Sequence, residues 1–81
     1  MIKVIKGKVY DIEKATYIAH YDIKENVCET LCLTNTKRWF IVREKDNENA
    51  IIIPMTKEDA KGWLIEFYQE YALNEYFPEE D

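Results

Sequence analysis

The sequence predicts an α+β fold, in which a four- or five-stranded antiparallel sheet is followed by one C-terminal helix packed across a face. Residues 1–55 contain short runs rich in β-branched and aromatic residues, separated by turn residues, which is the pattern of strands and hairpins. Residues 56–77 contain the segment with the clearest helical period. The connections are short, so a meander is the simplest strand order, with a small curled sheet as the alternative.

Five segments are predicted to be extended. They are residues 2–10, 16–22, 27–34, 38–44 and 50–53. Gly7 is expected in a tight turn because it can adopt a positive φ, and Asp11 is expected to accept from nearby backbone N–H groups. In the third segment Leu31 and Leu33 share a face with Glu29, because side chains alternate along a strand.

The C-terminal helix is expected to close the core through one side. Its apolar and aromatic residues recur at i, i+3, i+4, i+7, i+8 and i+11. They are Ala60, Trp63, Leu64, Phe67, Tyr68 and Tyr71. Thr56 is the expected N-cap, and Asp59 three residues later completes a T-x-x-D capping box. Burial of Trp63, Leu64 and Phe67 contributes roughly 1.5–3 kcal/mol for each side chain.

The length and composition predict one domain with one core. The chain has 81 residues, of which 47% are hydrophobic, well above the composition of disordered chains. Within it, the sheet is assigned to residues 1–55, the helix to 56–77 and a frayed tail to 78–81. Residues 72–77 either extend the helix or form a separate turn broken near Asn74. Lysines interrupt the N-terminal apolar residues and every apolar run is short, so we expect no signal peptide, no membrane segment and a cytoplasmic location.

Two cysteines are predicted to be free thiols. If Cys28 and Cys32 lie on one strand, their Cα atoms are about 13 Å apart at roughly 3.3 Å per residue, which is too far for a disulfide. A zinc site is not expected, because His20 is the sole histidine that could complete a ligand set. No metal and no cofactor are therefore predicted.

The charge is unevenly distributed along the chain. Residues 1–55 carry nine Lys or Arg and eight Asp or Glu, a net of +1, whereas residues 56–81 carry two and eight, a net of −6. Proteins that bind nucleic acid directly normally show a basic stripe, so this mode is not favoured. An acidic surface either suits a basic protein partner or serves only solubility.

The side chains that commonly carry catalysis are absent or isolated. The chain has no serine, and its two glycines stand alone, so Ser-based triads and phosphate-binding loops are excluded. Neither cysteine has a nearby cationic cluster in the sequence to lower its pKa, and His20 on a strand is more typical of a packed or surface residue. The expectation is that the protein is not an enzyme.

Three segments in the same order carry a resemblance to a known group of proteins. They are Gly7-Lys8-Val9-Tyr10-Asp11 with Ala15 and Ile18-Ala19, then Glu29-Thr30-Leu31 with Thr34 and Trp39-Phe40, then Ile53-Pro54 with Thr56-x-Glu58-Asp59-Ala60-Lys61-x-Trp63-Leu64. This resembles small, mostly uncharacterised proteins of bacterial phages and mobile elements, with the pattern G-K-x-Y-D-T-x-T-A, E-T-L-Y-x-T, W-F and I-P-(L/M)-(S/T)-x-E-E-A-x-x-W. The chain departs from this pattern at Ile12, Lys14 and Cys32.

Small proteins of such elements include inhibitors of host defence, anti-CRISPR proteins among them. The resemblance therefore implies a protein that binds a bacterial defence effector, in particular a CRISPR nuclease with a basic groove. The acidic side of the helix would mimic nucleic-acid charge, and aromatic side chains would anchor it where the core does not use them. The candidate partner-binding residues are Glu66, Glu70, Glu75, Tyr68, Tyr71, Tyr76 and Phe77.

Two other classes of function remain open from the sequence. One is an accessory or structural phage protein that self-associates through exposed sheet edges. The other is a nucleic-acid-binding module, if its cationic side chains cluster on the sheet. Those side chains are Lys3, Lys6, Lys8, Lys37, Arg38, Arg43 and Lys45. The sequence does not predict the oligomeric state.

Overall fold

The computed structural model describes residues 1–78, so Glu79 to Asp81 of the predicted tail lie outside it. Six strands and two helices follow one another along the described chain. They are β1 (Ile2–Ile5), β2 (Lys8–Asp11), β3 (Thr16–Lys24), β4 (Val27–Leu33), β5 (Trp39–Lys45), β6 (Ile51–Met55), α1 (Lys57–Glu66) and α2 (Glu70–Tyr76). A single 3-10 turn, Ile12–Lys14, connects β2 to β3, and Asp11 caps it by accepting from the Glu13 N–H at 3.0 Å.

The predicted α+β class and the antiparallel meander are confirmed. Strands β3, β4, β5 and β6 pair in sequence order, with Leu31 opposite Ile41 at the centre. The predicted segment 2–10 does not join this sheet. It folds back on itself as the β1–β2 hairpin, because Lys6 and Gly7 both have positive φ, 52° and 78°, as a two-residue hairpin turn requires.

The sheet is covered on both faces. The face towards the helices holds the larger core, which comprises Leu31, Leu33, Trp39 and Ile41 of the sheet with Ala60, Trp63, Leu64 and Ala72 of the helices. The opposite face packs under the hairpin in a smaller core, which comprises Tyr10, Cys32, Phe40, Val42 and Ile52. The alternation that the sequence predicts along β4, with Leu31 and Cys32 on opposite faces, is therefore confirmed.

Helix α1 begins where the sequence predicts. Thr56 accepts from the Asp59 N–H at 3.0 Å, and the Asp59 carboxylate accepts from the Thr56 N–H at 3.4 Å, so both bonds of the capping box are present. Asp59 also places negative charge in the first turn, where the helix dipole favours it. Neither α1 nor α2, the helices of residues 1–78, is long and apolar enough to cross a membrane.

Where the sequence predicted one helix over residues 56–77, the structure has two, because α1 ends in a Schellman motif. The Gln69 N–H donates to the Leu64 carbonyl at 2.9 Å, and the Tyr68 N–H donates to the Ile65 carbonyl at 3.2 Å. In this motif the residue just after the C-cap takes a left-handed conformation and is usually glycine. Here it is Tyr68, with φ of 56°.

The break also corrects the predicted apolar side. Tyr68 and Tyr71 were expected to face the core, but they are exposed, because the helical period does not continue through a left-handed residue. Ala72 is buried in their place, and Phe77 stacks on Trp39 with ring centroids 5.3 Å apart.

One buried polar contact joins α1 to the sheet. The indole N–H of Trp63 donates to Glu29 Oε1 at 2.8 Å, and the other carboxylate oxygen accepts from Arg43 Nε at 2.7 Å. Glu29 is 7% exposed and Trp63 is 5% exposed, so the carboxylate and the indole N–H form their hydrogen bond away from water. A buried carboxylate that lost such partners would cost free energy, and this contact therefore determines how α1 lies on β4 and β5.

We predict that Trp63→Phe lowers the free energy of unfolding by about 1–3 kcal/mol, because Glu29 then loses a donor while it stays buried. Urea denaturation followed by circular dichroism measures the change. Lys61→Ala, at an exposed position of the same helix, serves as the control and should change stability by no more than about 0.5 kcal/mol. Equal stability of the two variants would contradict the assignment.

Candidate functional site

The segment that connects the two helices is the most exposed aromatic surface of the described chain. We call residues 66–71 the helix corner. Tyr68 is 84% exposed and Tyr71 is 85% exposed, while Phe67 between the helices turns inward and stacks on Tyr21 at 4.4 Å. Packing at Phe67 thus holds the helix corner on the sheet, and both of its tyrosine rings are exposed to solvent.

Tyr68 adopts a backbone conformation that is unfavourable for tyrosine, and its side chain makes little contact with the core. A left-handed conformation costs an ordinary L-residue roughly 1–2 kcal/mol, and glycine would avoid that cost. Buried residues can recover it through contacts, but the Tyr68 ring is almost wholly in solvent. Backbone strain of this kind is concentrated at binding sites and other functional segments.

The glutamates of the predicted site are all exposed, but they do not share the side of one helix. Glu66 ends α1, Glu70 begins α2 and Glu75 lies near its end. Within residues 1–78 none of the three is within ion-pair distance of a Lys or Arg side chain. Their charge is therefore directed to solvent, and Glu66 and Glu70 flank Tyr68 within the helix corner.

Tyr76 and Phe77 belong to the core rather than to the helix corner. The Tyr76 ring meets Trp39 edge-on with centroids 5.9 Å apart, and Phe77 stacks on the same indole. Both are half-buried. The structure thus brings Glu66, Tyr68, Glu70 and Tyr71 together along one short segment and places Tyr76 and Phe77 elsewhere.

The cationic side chains named in the sequence analysis do not form one stripe. Lys8, Lys37 and Arg38 line a cavity of about 550 Å³, together with Lys57. Arg43 is instead paired with Glu29. Lys45 lines a different cavity, which also contains Asp22, Glu44 and Asp46.

A possible ligand set for a metal ion was missed by the sequence reasoning. The ligand atoms of His20, Asp22 and Cys28 all lie within 4.8 Å of one another. Pairing between β3 and β4 produces this cluster, because Asp22 is directly opposite Cys28 and His20 is opposite Thr30. The sequence carries no signal for this cluster, because a register irregularity between Asp22 and Lys24 separates it from the β3–β4 turn.

Both cysteines are free, as predicted, and neither has the properties of a nucleophile. Burial raises the pKa of the Cys32 thiol to about 11. The pKa of Cys28 is also raised, first by desolvation and then by the carboxylates of Glu44 and Asp22. A catalytic thiol needs the opposite shift.

Comparisons with protein-family models, with curated proteins and with solved structures find no match to this chain.

Proposed function

We propose that the protein is a non-enzymatic binding module that recognises the basic surface of a protein partner through the helix corner. The observation that carries the proposal is Tyr68, a bulky residue held in a left-handed conformation and 84% exposed. The core gains little from this side chain, so a partner gives the best account of it. Tyr71, 85% exposed, adds a second ring nearby in the chain.

Tyrosine suits this role because of its shape and its few torsions. Its ring supplies a large contact area, its hydroxyl donates or accepts a hydrogen bond, and only two torsions are frozen on binding. Aromatic residues of this kind are enriched among the side chains that dominate interface energies. Two such exposed rings, three residues apart in the chain, provide anchors for an interface.

The charge around the rings supports a basic partner. Glu66 and Glu70 lie within the helix corner, Glu75 follows on α2, and the segment from residue 56 onwards has a net charge of −6. Opposite charge accelerates the encounter of two proteins and selects against acidic surfaces. A groove that normally holds nucleic acid has the required positive charge.

The resemblance to proteins of phages and mobile elements suggests the biological context. In this proposal the partner is a bacterial defence effector, in particular a CRISPR nuclease, and the protein inhibits it in the host cytoplasm. The glutamates would occupy a basic groove in place of nucleic-acid phosphates, with Tyr68 and Tyr71 as anchors. Inhibition of DNA cleavage by guide-loaded CRISPR nucleases tests this context directly.

We predict that Tyr68→Gly weakens partner binding without lowering the stability of the fold. Glycine relieves the left-handed conformation, which costs tyrosine roughly 1–2 kcal/mol, but it raises the entropy of the unfolded chain, which costs about 0.4–1 kcal/mol. The free energy of unfolding should therefore stay equal or rise by up to about 1 kcal/mol. Capture of partners from a bacterial lysate by the tagged chain should fall, with an affinity loss of at least about tenfold for the partner identified.

Tyr68→Asn is the matched control for the backbone, because asparagine also tolerates the left-handed conformation but lacks the ring. It should lose binding to the same extent. Wild-type binding by both variants would show that the Tyr68 ring is not part of the interface.

We predict that Glu66→Lys with Glu70→Lys weakens partner binding strongly at low salt and leaves the fold intact, because both side chains are exposed. Binding by the wild-type chain should itself weaken as salt is raised, since screening reduces the attraction between opposite charges. Surface plasmon resonance over a salt series measures both effects. Unchanged affinity of the double variant would disprove the charge-mimicry part of the proposal.

A second candidate function is binding of nucleic acid at the cavity formed by Lys8, Lys37, Arg38 and Lys57. The described residues that line it include no carboxylate, although the protein as a whole carries a net charge of −5. If this is correct, a gel shift at low salt should retard DNA with the wild-type chain, and Lys37→Glu with Arg38→Glu should abolish the shift. Absence of retardation by the wild-type chain would exclude this candidate.

A further inference from the structure

The sheet face opposite the helices is not covered by the hairpin along its whole length. At the end near the β3–β4 turn it presents His20 and Asp22 from β3, two residues apart and so on one face. Cys28 of β4 lies directly opposite Asp22, and Glu44 of β5 lies directly opposite Cys28. Two adjacent strands therefore bring an imidazole, a carboxylate and a thiol together, and β5 places a second carboxylate beside the thiol.

The separations among His20, Asp22 and Cys28 fit three ligands of a tetrahedral zinc ion. Zinc bonds to nitrogen, oxygen and sulfur are about 2.0–2.3 Å long, so ligand atoms around a tetrahedral ion lie about 3.3–3.8 Å apart. His20 Nε2 is 3.2 Å from Asp22 Oδ1, and Cys28 Sγ is 3.8 Å from Glu44 Oε1. The His20, Asp22 and Cys28 ligand atoms are all within 4.8 Å of one another, so small side-chain rotations suffice.

A neighbouring side chain can orient the histidine. His20 Nδ1 is 2.8 Å from the hydroxyl oxygen of Thr30, its partner across the β3–β4 ladder. In the structure the Asp22 carboxylate accepts from His20 Nε2–H at 3.2 Å, so Nδ1 accepts from the Thr30 hydroxyl. When a metal ion replaces the proton on Nε2, Nδ1 would carry the proton instead and donate to the Thr30 oxygen. Metal-binding histidines are commonly held in this way, with the second nitrogen donating to an oxygen.

The surroundings favour a cation and leave a route to it. Asp22, Cys28 and Glu44 line an open cavity of about 570 Å³, to which Asp46 contributes a further carboxylate. These carboxylates surround the Cys28 sulfur with negative charge, which a bound cation would offset. Lys24 and Lys45 also line the cavity and partly oppose this effect.

We propose that His20, Asp22 and Cys28 form a zinc-binding site on the sheet face opposite the helices, with the Glu44 carboxylate beside the thiol. The imidazole and thiolate ligands select zinc over magnesium or calcium, which prefer oxygen ligands alone. The ion would join the edge strand β3 to β4. The site lies on the other side of the sheet from the core that holds α1 and α2, and it does not depend on the proposed partner.

Cobalt(II) titration of the full chain, reduced and freed of metal, tests the site. Cobalt should produce the intense thiolate-to-metal absorption and the visible bands of a tetrahedral ion, and zinc should displace it. Cys28→Ser should abolish the thiolate band, and His20→Ala should weaken binding by at least about tenfold. Thr30→Val should weaken it by roughly 10-fold to 100-fold if the hydroxyl orients the imidazole.

Cys32→Ala is the matched control, because it removes the other thiol and should leave the cobalt spectrum unchanged. Circular dichroism confirms that each variant is folded. In a second measurement on the wild-type chain, zinc should slow alkylation of Cys28 by iodoacetamide, with the modified residue identified by mass spectrometry. A wild-type chain that gives no thiolate band, or a band that persists in Cys28→Ser, would overturn the proposal.

Discussion

The contact between Trp63 and Glu29 is the constraint on which the arrangement of the molecule depends. It joins a helix to a strand 34 residues earlier in the chain, and both groups are buried. Because a carboxylate in this position needs donors, α1 can lie on the sheet only where the Trp63 indole reaches Glu29 while Arg43 reaches the second oxygen. Apolar packing supplies the attraction between the layers, and this polar contact selects one orientation among those that packing allows.

The position of the helix corner follows from that orientation. Trp63 also meets Phe67 edge-on with centroids 5.1 Å apart, so the last turn of α1 is packed up to the residue before Tyr68. The left-handed Tyr68 then redirects the chain, and α2 returns to cover Trp39 through Phe77. Phe67 before Tyr68 and Phe77 after α2 therefore pack against the core, whereas Tyr68 and Tyr71 remain in solvent. Stability and the proposed binding use different residues of one short segment.

The sequence predicted what depends on local patterns. The capping box at Thr56, the turn at Gly7 and the shared face of Glu29 and Leu31 follow from side-chain alternation and backbone chemistry, and all are present. It did not predict the break at Tyr68, because a Schellman motif is usually marked by glycine and an apolar period continued through this residue. Exposure of Tyr68 and Tyr71 depends on that break, so periodicity alone could not show that these two residues of the helix corner lie in solvent.

Contacts between side chains of separate elements also could not be predicted from the sequence. The acidic Glu29 on an otherwise apolar face was visible, but its donors lie on two other elements and only the register identifies them. The grouping of His20, Asp22 and Cys28 likewise requires the exact pairing of β3 with β4.

Hydrogen exchange of the Trp63 indole N–H, followed by NMR, tests the central claim most directly. If this proton is held by Glu29 beneath α1, it should exchange only when the whole protein unfolds, as slowly as the most protected amides of β4 and β5. Exchange at the rate of a solvent-exposed indole would mean that the contact does not hold α1 on the sheet. The orientation of the helix corner would then need another explanation.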